Sequence, residues 1–195
     1  IHPQKDDKVL TDWNGLMIST FAQSAKVLKQ KKYLMIAQKA ADFCLSELRQ
    51  TNGRLLKRWR KGKSGLPAHL EDYAFFTQGL LDLYEASFEI KYLRAAIELV
   101  DLTIKHFEDI TEGGFYLTAD DGEKLLIRAK EIYDGAIPSG NSVMALNLLR
   151  VHKITGQEKY LNSAKNLFSA FSGFIQKNPQ GAEVLLQALD FALAP

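Results

Sequence analysis

Three separated stretches carry the residues whose types could do chemistry. The first holds Asp6, Asp7, Asp12, Trp13 and Asn14. The second holds His69, Glu71, Asp72 and Tyr73, and the third Arg128, Lys130, Glu131, Asp134, Ser139 and Asn141. Carboxylates, amides and aromatic rings around one hollow suit a polyhydroxylated ligand. Ring faces pack on sugar C–H surfaces, while Asp and Asn take hydroxyl bonds. Glycoside hydrolysis needs two carboxyl groups astride the bond, about 6.5–9.5 Å apart for inversion and about 5 Å for retention. Asp72 and Asp134 are the first catalytic candidates, with Glu71, Glu131 and Asp12 as substitutes. Whichever member serves as acid needs a raised pKa. Trp13, Asn14, His69, Tyr73, Arg128, Lys130, Ser139 and Asn141 join Asp12 as candidates for binding substrate. Epimerisation would need an acid and a base on either side of a sugar carbon, and His69 is the one histidine placed for it.

Plainer roles compete for the same side chains. Thr11, Asp12 and Ser139 are good helix N-caps. Asp72 could cap a helix or pair with a linker arginine, and Lys130-Glu131 could be a surface ion pair. Trp13 fits a core more readily than a ligand platform, because aromatic rings dominate cores. Asn14 and Asn141, inside a first turn, are less readily explained by capping.

An internal repeat must position these stretches. Tyr-Leu recurs at Tyr33-Leu34, Tyr92-Leu93 and Tyr160-Leu161, at offsets of 59 and 68 residues. Nineteen residues before each tyrosine stand Asn14, Tyr73 and Asn141, each opening an apolar run. After the third anchor, Ala164, Leu167, Phe168, Phe171 and Ile175 fall on one helical face. Each unit is therefore a helix, a short turn (Lys29–Lys32, Phe88–Lys91, Thr155–Lys159) and an amphipathic helix, with Gly156 as a C-cap. The first helix of each pair is apolar around most of its circumference, as in Leu16, Met17, Ile18, Phe21 and Ala22, and so is expected to be buried. The second has one apolar face and belongs outside. The fold class is all-α: tandem α/α hairpins spanning about 11–49, 70–108 and 139–176, with a fourth beginning near 180, in a single domain over 1–195 that forms part of a toroid. Inner helices separated by antiparallel returns run parallel, so their amino termini open on one rim. Unpaired N–H groups there also favour an anionic group.

Two linkers are long enough to expect function in them. Gly53–Pro67 carries Arg54, Lys57, Arg58, Trp59, Arg60, Lys61 and Lys63. Gly113–Pro138 is expected to form a β-hairpin from Phe115–Thr118 and Lys124–Arg128 around Asp120-Asp121-Gly122.

Composition narrows the function classes. The 195 residues can bury a real core, and a net charge of +2 sets up no global field toward nucleic acid or membrane. The basic linker could stack a base on Trp59, but a basic face is lacking, so no nucleic-acid partner is expected. No apolar run approaches the roughly 18 residues of a membrane span. Cys44 is the single cysteine, which excludes an internal disulfide and makes a reducing, cytoplasmic compartment the expectation. The histidines show no metal-ligand spacing and no glycine-rich phosphate loop is present, so no cofactor is expected. The start, Ile1 to Asp7, is polar and abrupt, unlike a signal peptide and like a cut fragment.

Asp6–Leu16, Leu70–Phe75 and Lys130–Ser142 resemble the carboxy-terminal helical region of the YyaL-type, spermatogenesis-associated, thioredoxin-like proteins. The resemblance implies an amino-terminal thioredoxin-like domain followed by a six-hairpin toroid similar to glycosidases and N-acylglucosamine 2-epimerases. Three to four of the six hairpins would lie here, with the stretch ending at Pro195 stopping where the family's chain continues. There is no Cys-x-x-Cys, so the thioredoxin-like domain would be a partner. The resemblance carries no catalytic assignment. Two functions follow as expectations: a domain that binds or processes a sugar or sugar acid, or a non-catalytic scaffold or ligand-sensing module serving the thioredoxin-like domain. An open arc would expose faces that further hairpins cover, so self-association is expected.

Overall fold

The computed structural model describes residues 2–3 and 5–194; Ile1, Gln4 and Pro195, named in the terminal stretches above, lie outside the described residues. The chain runs β1 (Val9–Leu10), α1 (Thr11–Leu28), α2 (Lys31–Glu47), β2 (Leu56–Arg60), β3 (Lys63–Pro67), α3 (Leu70–Ser87), α4 (Ile90–Phe107), α5 (Gly140–Thr155), α6 (Glu158–Lys177), a 3₁₀ turn (Pro179–Gly181) and α7 (Glu183–Leu193). It is an all-α arc with one short sheet. Helix α1 packs on α3, α3 on α5 and α5 on α7, while α2, α4 and α6 return behind their own partners. Among the described residues no helix is long and apolar enough to cross a membrane.

Burial follows the two layers. Helix α3 is buried over most of its surface, including Tyr73, Phe75, Phe76, Leu80 and Leu83. Helix α4 buries one stripe through Tyr92, Ala96, Leu99, Val100, Thr103 and Phe107. Each large apolar side chain so enclosed contributes about 1.5–3 kcal/mol. Helix α1 departs from the expectation for an inner helix: Met17, Val27 and Leu28 are exposed, because α2 and α3 cover only part of its circumference.

Each hairpin turns through a left-handed residue: Lys29, Phe88 and Gly156 have φ of 52°, 57° and 70°. Gly156 caps α5 as expected, its N–H donating to the His152 carbonyl at 2.7 Å. Helices α1 and α3 approach unusually closely. A Cβ on Gly15 would stand 2.5 Å from the Phe75 backbone, and one on Gly79 2.6 Å from the Gly15 carbonyl oxygen.

The β-hairpin lies in the first linker, not in the second where it was expected. Strands β2 and β3 pair antiparallel around Lys61 and Gly62, whose φ values of 49° and 77° suit the tight turn that matches strand twist. Strand β1 adds antiparallel to β2, with Val9 opposite Trp59. In the second linker the segment around Phe115 is taken up by distant partners instead. Glu108 bridges Phe115, and the Asn141 side chain bonds both the N–H and the carbonyl of Phe115. Leu126 and Ile127 are left exposed.

Candidate functional site

Helices α1 and α3 begin side by side because one carboxylate ties their first turns together. Asp72, wholly buried, accepts from the backbone N–H of His69 at 2.8 Å and from that of Asp12 at 3.1 Å. Lys57, projecting from β2, lies 3.4 Å from Asp72 and 3.5 Å from Asp12, so the linker strand supplies the cation between two helix starts. Thr11 fixes that strand by donating to the Leu56 carbonyl at 2.5 Å rather than by capping α1. Strand pairing, the capping carboxylate and the lysine thus converge on one point of the rim.

The charges shape one another. Burial pushes Asp72 up to about 7, against the pull of Lys57 and of the His69 N–H. Burial also raises Glu71, and the neighbouring carboxylates of Glu131 and Asp12 add to it. Burial lowers His69 and Lys57 lowers it further, so its neutral imidazole is favoured. Burial opposes the charge on Lys57, but Asp72 and Asp12 outweigh it and hold the ammonium above its ordinary range. Asp12, His69, Glu71, Asp72 and Glu131, distant in the chain, therefore share one electrostatic neighbourhood. Trp13 stands beside it with 61% of its surface exposed, so it is no core residue.

The other sequence candidates lie in the scaffold. The Tyr73 hydroxyl accepts from the Leu55 N–H and from Arg54, each at 3.0 Å, within a wholly buried side chain. Asn141, equally buried, donates to the carbonyls of Phe115 and Glu131 and accepts the Phe115 N–H. Asn14 donates to the Leu10 carbonyl and borders an apolar hollow of about 470 Å³ with Val9, Ile36, Phe43 and Trp59. Asp134 accepts from the N–H of Ser139 and of Val184, joining the starts of α5 and α7. Ser139 caps α5 through the Ser142 N–H. Arg128 bonds the carbonyls of His106 and Thr118 and lies over the Tyr116 ring at 4.1 Å. Lys130 pairs with Asp109 at 2.7 Å and bonds the Gly113 carbonyl.

Two clusters escaped the sequence. Lys57 sat in a basic run that reads as solvated surface, and only pairing of β2 with β1 turns it to the rim. On the face shared by α1, α3 and α5, Arg150 bonds Asp82 and Glu85, each at 2.7 Å. Ser19 and Gln23 also bond Asp82, and Lys26 bonds Glu85. Helical spacing of Asp82 and Glu85 was the available signal. His106, Asp120 and Asp121 bring ligand-type atoms within 4.8 Å of one another, but Arg54 already bonds Asp121 at 2.7 Å. An arginine there supplies the countercharge a metal would.

A scan against protein-family profiles finds no match. The chain is similar to "Spermatogenesis-associated protein 20" of Homo sapiens, 39% identical over 197 residues, covering 96% of this chain and 25% of that protein. The same protein of Rattus norvegicus is 39% identical over 194 residues, covering 94% of this chain and 25% of its own length. The chain thus spans about a quarter of the length of the curated relatives it matches, and over that segment the resemblance to the spermatogenesis-associated proteins is shown. In fold it is similar to a GH76 α-mannanase of Bacteroides thetaiotaomicron, with a TM-score of 0.71, 19% identity, and coverage of 97% of this chain and 54% of that one. It is also similar to the cellobiose 2-epimerase of Spirochaeta thermophila, with a TM-score of 0.69, 19% identity, and coverage of 87% and 44%. These likenesses show the α/α-toroid fold.

Proposed function

We propose that this relative of Spermatogenesis-associated protein 20 binds or processes a carbohydrate at the rim where α1 and α3 begin. One observation carries the proposal: Lys57 lies between Asp12 and the buried Asp72 there, with Glu71 and Glu131 in the same electrostatic neighbourhood and the exposed Trp13 next to Asp12 in the chain. The solved proteins of like fold include a mannanase and a cellobiose 2-epimerase, which supports a sugar as ligand. Glu71, raised by burial, is the acid, and Asp12 is the second carboxyl group that proton or glycosyl transfer at a sugar needs. Asp72 is enclosed and acts as a positioning residue, holding Asp12 and Lys57. Trp13 offers a flat apolar face for a sugar ring, and neutral His69 a further acceptor or donor.

Titration calorimetry with mannose, glucose and cellobiose tests this. Heat of binding is expected with at least one sugar, and its loss in Glu71→Gln and Trp13→Ala. Silence with all three sugars, or binding untouched by both substitutions, sinks the proposal. A non-catalytic module serving a thioredoxin-like domain is the alternative. It is favoured by a hollow of about 590 Å³ along Arg49, Asn52, Glu98 and Asp101, whose lining includes none of Asp12, Glu71, Asp72 and Glu131. Sugar binding without turnover would select it.

A further inference from the structure

The same three-residue clasp joins consecutive hairpins twice. Lys91 bonds both oxygens of Asp42, at 2.9 and 3.0 Å, and the Tyr92 hydroxyl donates to the same carboxylate at 3.1 Å. One repeat later Lys159 bonds Asp101 at 2.6 Å and Tyr160 donates to it at 3.0 Å. In each case a Lys-Tyr pair at the start of one outer helix grips an aspartate on the preceding outer helix. That aspartate lies nine residues after its own repeat's tyrosine.

Lys32 and Tyr33 are the first repeat's copy of the pair. Lys32 lies over its own tyrosine ring at 4.9 Å, the posture of Lys91 and Lys159 at 4.6 and 4.7 Å, so the clasp is preformed. Among the described residues no carboxylate reaches either group. The surface around them is also uncovered. Met17 is 50% exposed where its repeat equivalents Phe76 and Met144 are wholly buried. Ile36 is 44% exposed where Ala95 and Ser163 are 6% and 7%. The structure therefore shows, twice over, what covers this surface elsewhere: a preceding hairpin.

We propose that Lys32 and Tyr33 form an open clasp that receives an aspartate from a further α/α hairpin of this repeat type, packed on α1 and α2. The aspartate comes from the middle of that hairpin's outer helix, and the exposed Met17 and Ile36 supply the apolar contact. A second copy of this chain is a poor occupant. Its Asp42 and Asp101 are already gripped, the third outer helix carries Ser169 at the matching position, and α7 already packs on α5 at that edge.

The test inserts one 59-residue repeat, a second copy of residues 11–69, directly ahead of Thr11. Acetylation of lysines is then followed by mass spectrometry. In the unaltered chain Lys32 is expected to react faster than Lys91 and Lys159. In the extended chain it should slow about tenfold, the effect of one unit of pKa. Asp42→Asn in the inserted copy should restore the fast rate. A Lys32 that stays fast, or that ignores Asp42→Asn, overturns the proposal. Should the extended chain fold poorly, two measurements on the unaltered chain still decide. Carbodiimide coupling should link Lys91 to Asp42 and Lys159 to Asp101 and leave Lys32 free; a link from Lys32 to any carboxylate of the chain overturns it. A dimer in sedimentation that Lys32→Glu dissolves would make a second copy the occupant, and overturns it as well.

Discussion

The backbone N–H of Asp12 donates to the carboxylate of Asp72, 60 residues later, so a side chain of α3 holds the first turn of α1. Asp72→Ala would strand the N–H groups of Asp12 and His69 and leave Lys57 with one partner fewer. A loss of roughly 2–4 kcal/mol in denaturant unfolding is expected, with a smaller loss for Asp72→Asn, which keeps one acceptor. A change below about 1 kcal/mol for the alanine variant would mean that the two helix starts are held by packing alone.

The same carboxyl makes stability depend on pH. Its folded value of about 7 lies above its ordinary 3.8, so the folded chain binds the proton more tightly. The contribution is therefore fully present below about pH 4, declines as pH climbs toward 7, and is flat above. The slope attributable to Asp72 is at most about 1.4 kcal/mol per pH unit. Unfolding free energies of the parent and Asp72→Asn, compared from pH 4 to 8, should diverge with that sign. Parallel curves would show that Asp72 is ionised throughout.

Glu71 and Trp13 should separate function from folding. Trp13 is mostly exposed and Glu71 makes no side-chain bond to another element, so Trp13→Ala and Glu71→Gln should each change stability by no more than about 0.5 kcal/mol. Sugar binding should fall at least tenfold in each, about 1.4 kcal/mol. A variant that unfolds would place its side chain in the scaffold instead of the site.

Asn141 is the buried tie between α5 and the second linker. Asn141→Ala would leave the Phe115 N–H and the Phe115 and Glu131 carbonyls without their partner, at about 2–4 kcal/mol. Hydrogen exchange at Phe115 should accelerate in step. Asn141→Asp keeps the acceptor but sets a buried carboxylate oxygen against the Phe115 and Glu131 carbonyls, and should cost at least as much.

The hairpins were legible because the repeat is local and periodic: Asn14, Tyr73 and Asn141 each mark the first turn of an inner helix, as their common distance from a tyrosine implied. The chemistry at those three positions was not. Their side chains bond backbone 4 to 26 residues away, partners that spacing alone does not reveal. The misplaced hairpin has the same origin. Phe115–Thr118 and Lys124–Arg128 have strand composition, but Asn141 and Arg128 bind that backbone to other elements, whereas Lys61-Gly62 accepts the positive φ angles a tight turn requires. Lys57 was hidden because a strand shows alternate residues to opposite faces, and in a run of basic residues both faces look solvated.

The approach of α1 to α3 sets how near Asp12 and Asp72 can lie, and two glycines set the approach. A Cβ at Gly15 would meet the Phe75 and Phe76 backbone at 2.5 Å, and one at Gly79 would meet the Gly15 carbonyl oxygen at 2.6 Å. Backbone cannot rotate away as a side chain can, so the helices must separate. Gly15→Ala gains helix propensity worth about 1 kcal/mol, yet overpacking of about 1–3 kcal/mol or more should outweigh it. Separation would also lengthen the Asp12–Asp72 hydrogen bond and draw Lys57 away from one carboxylate. Gly15→Ala is therefore expected to lower both melting temperature and sugar affinity, while Gly173→Ala, with open space around it, should lower neither. Unchanged affinity in a destabilised Gly15→Ala would detach the site from the helix spacing.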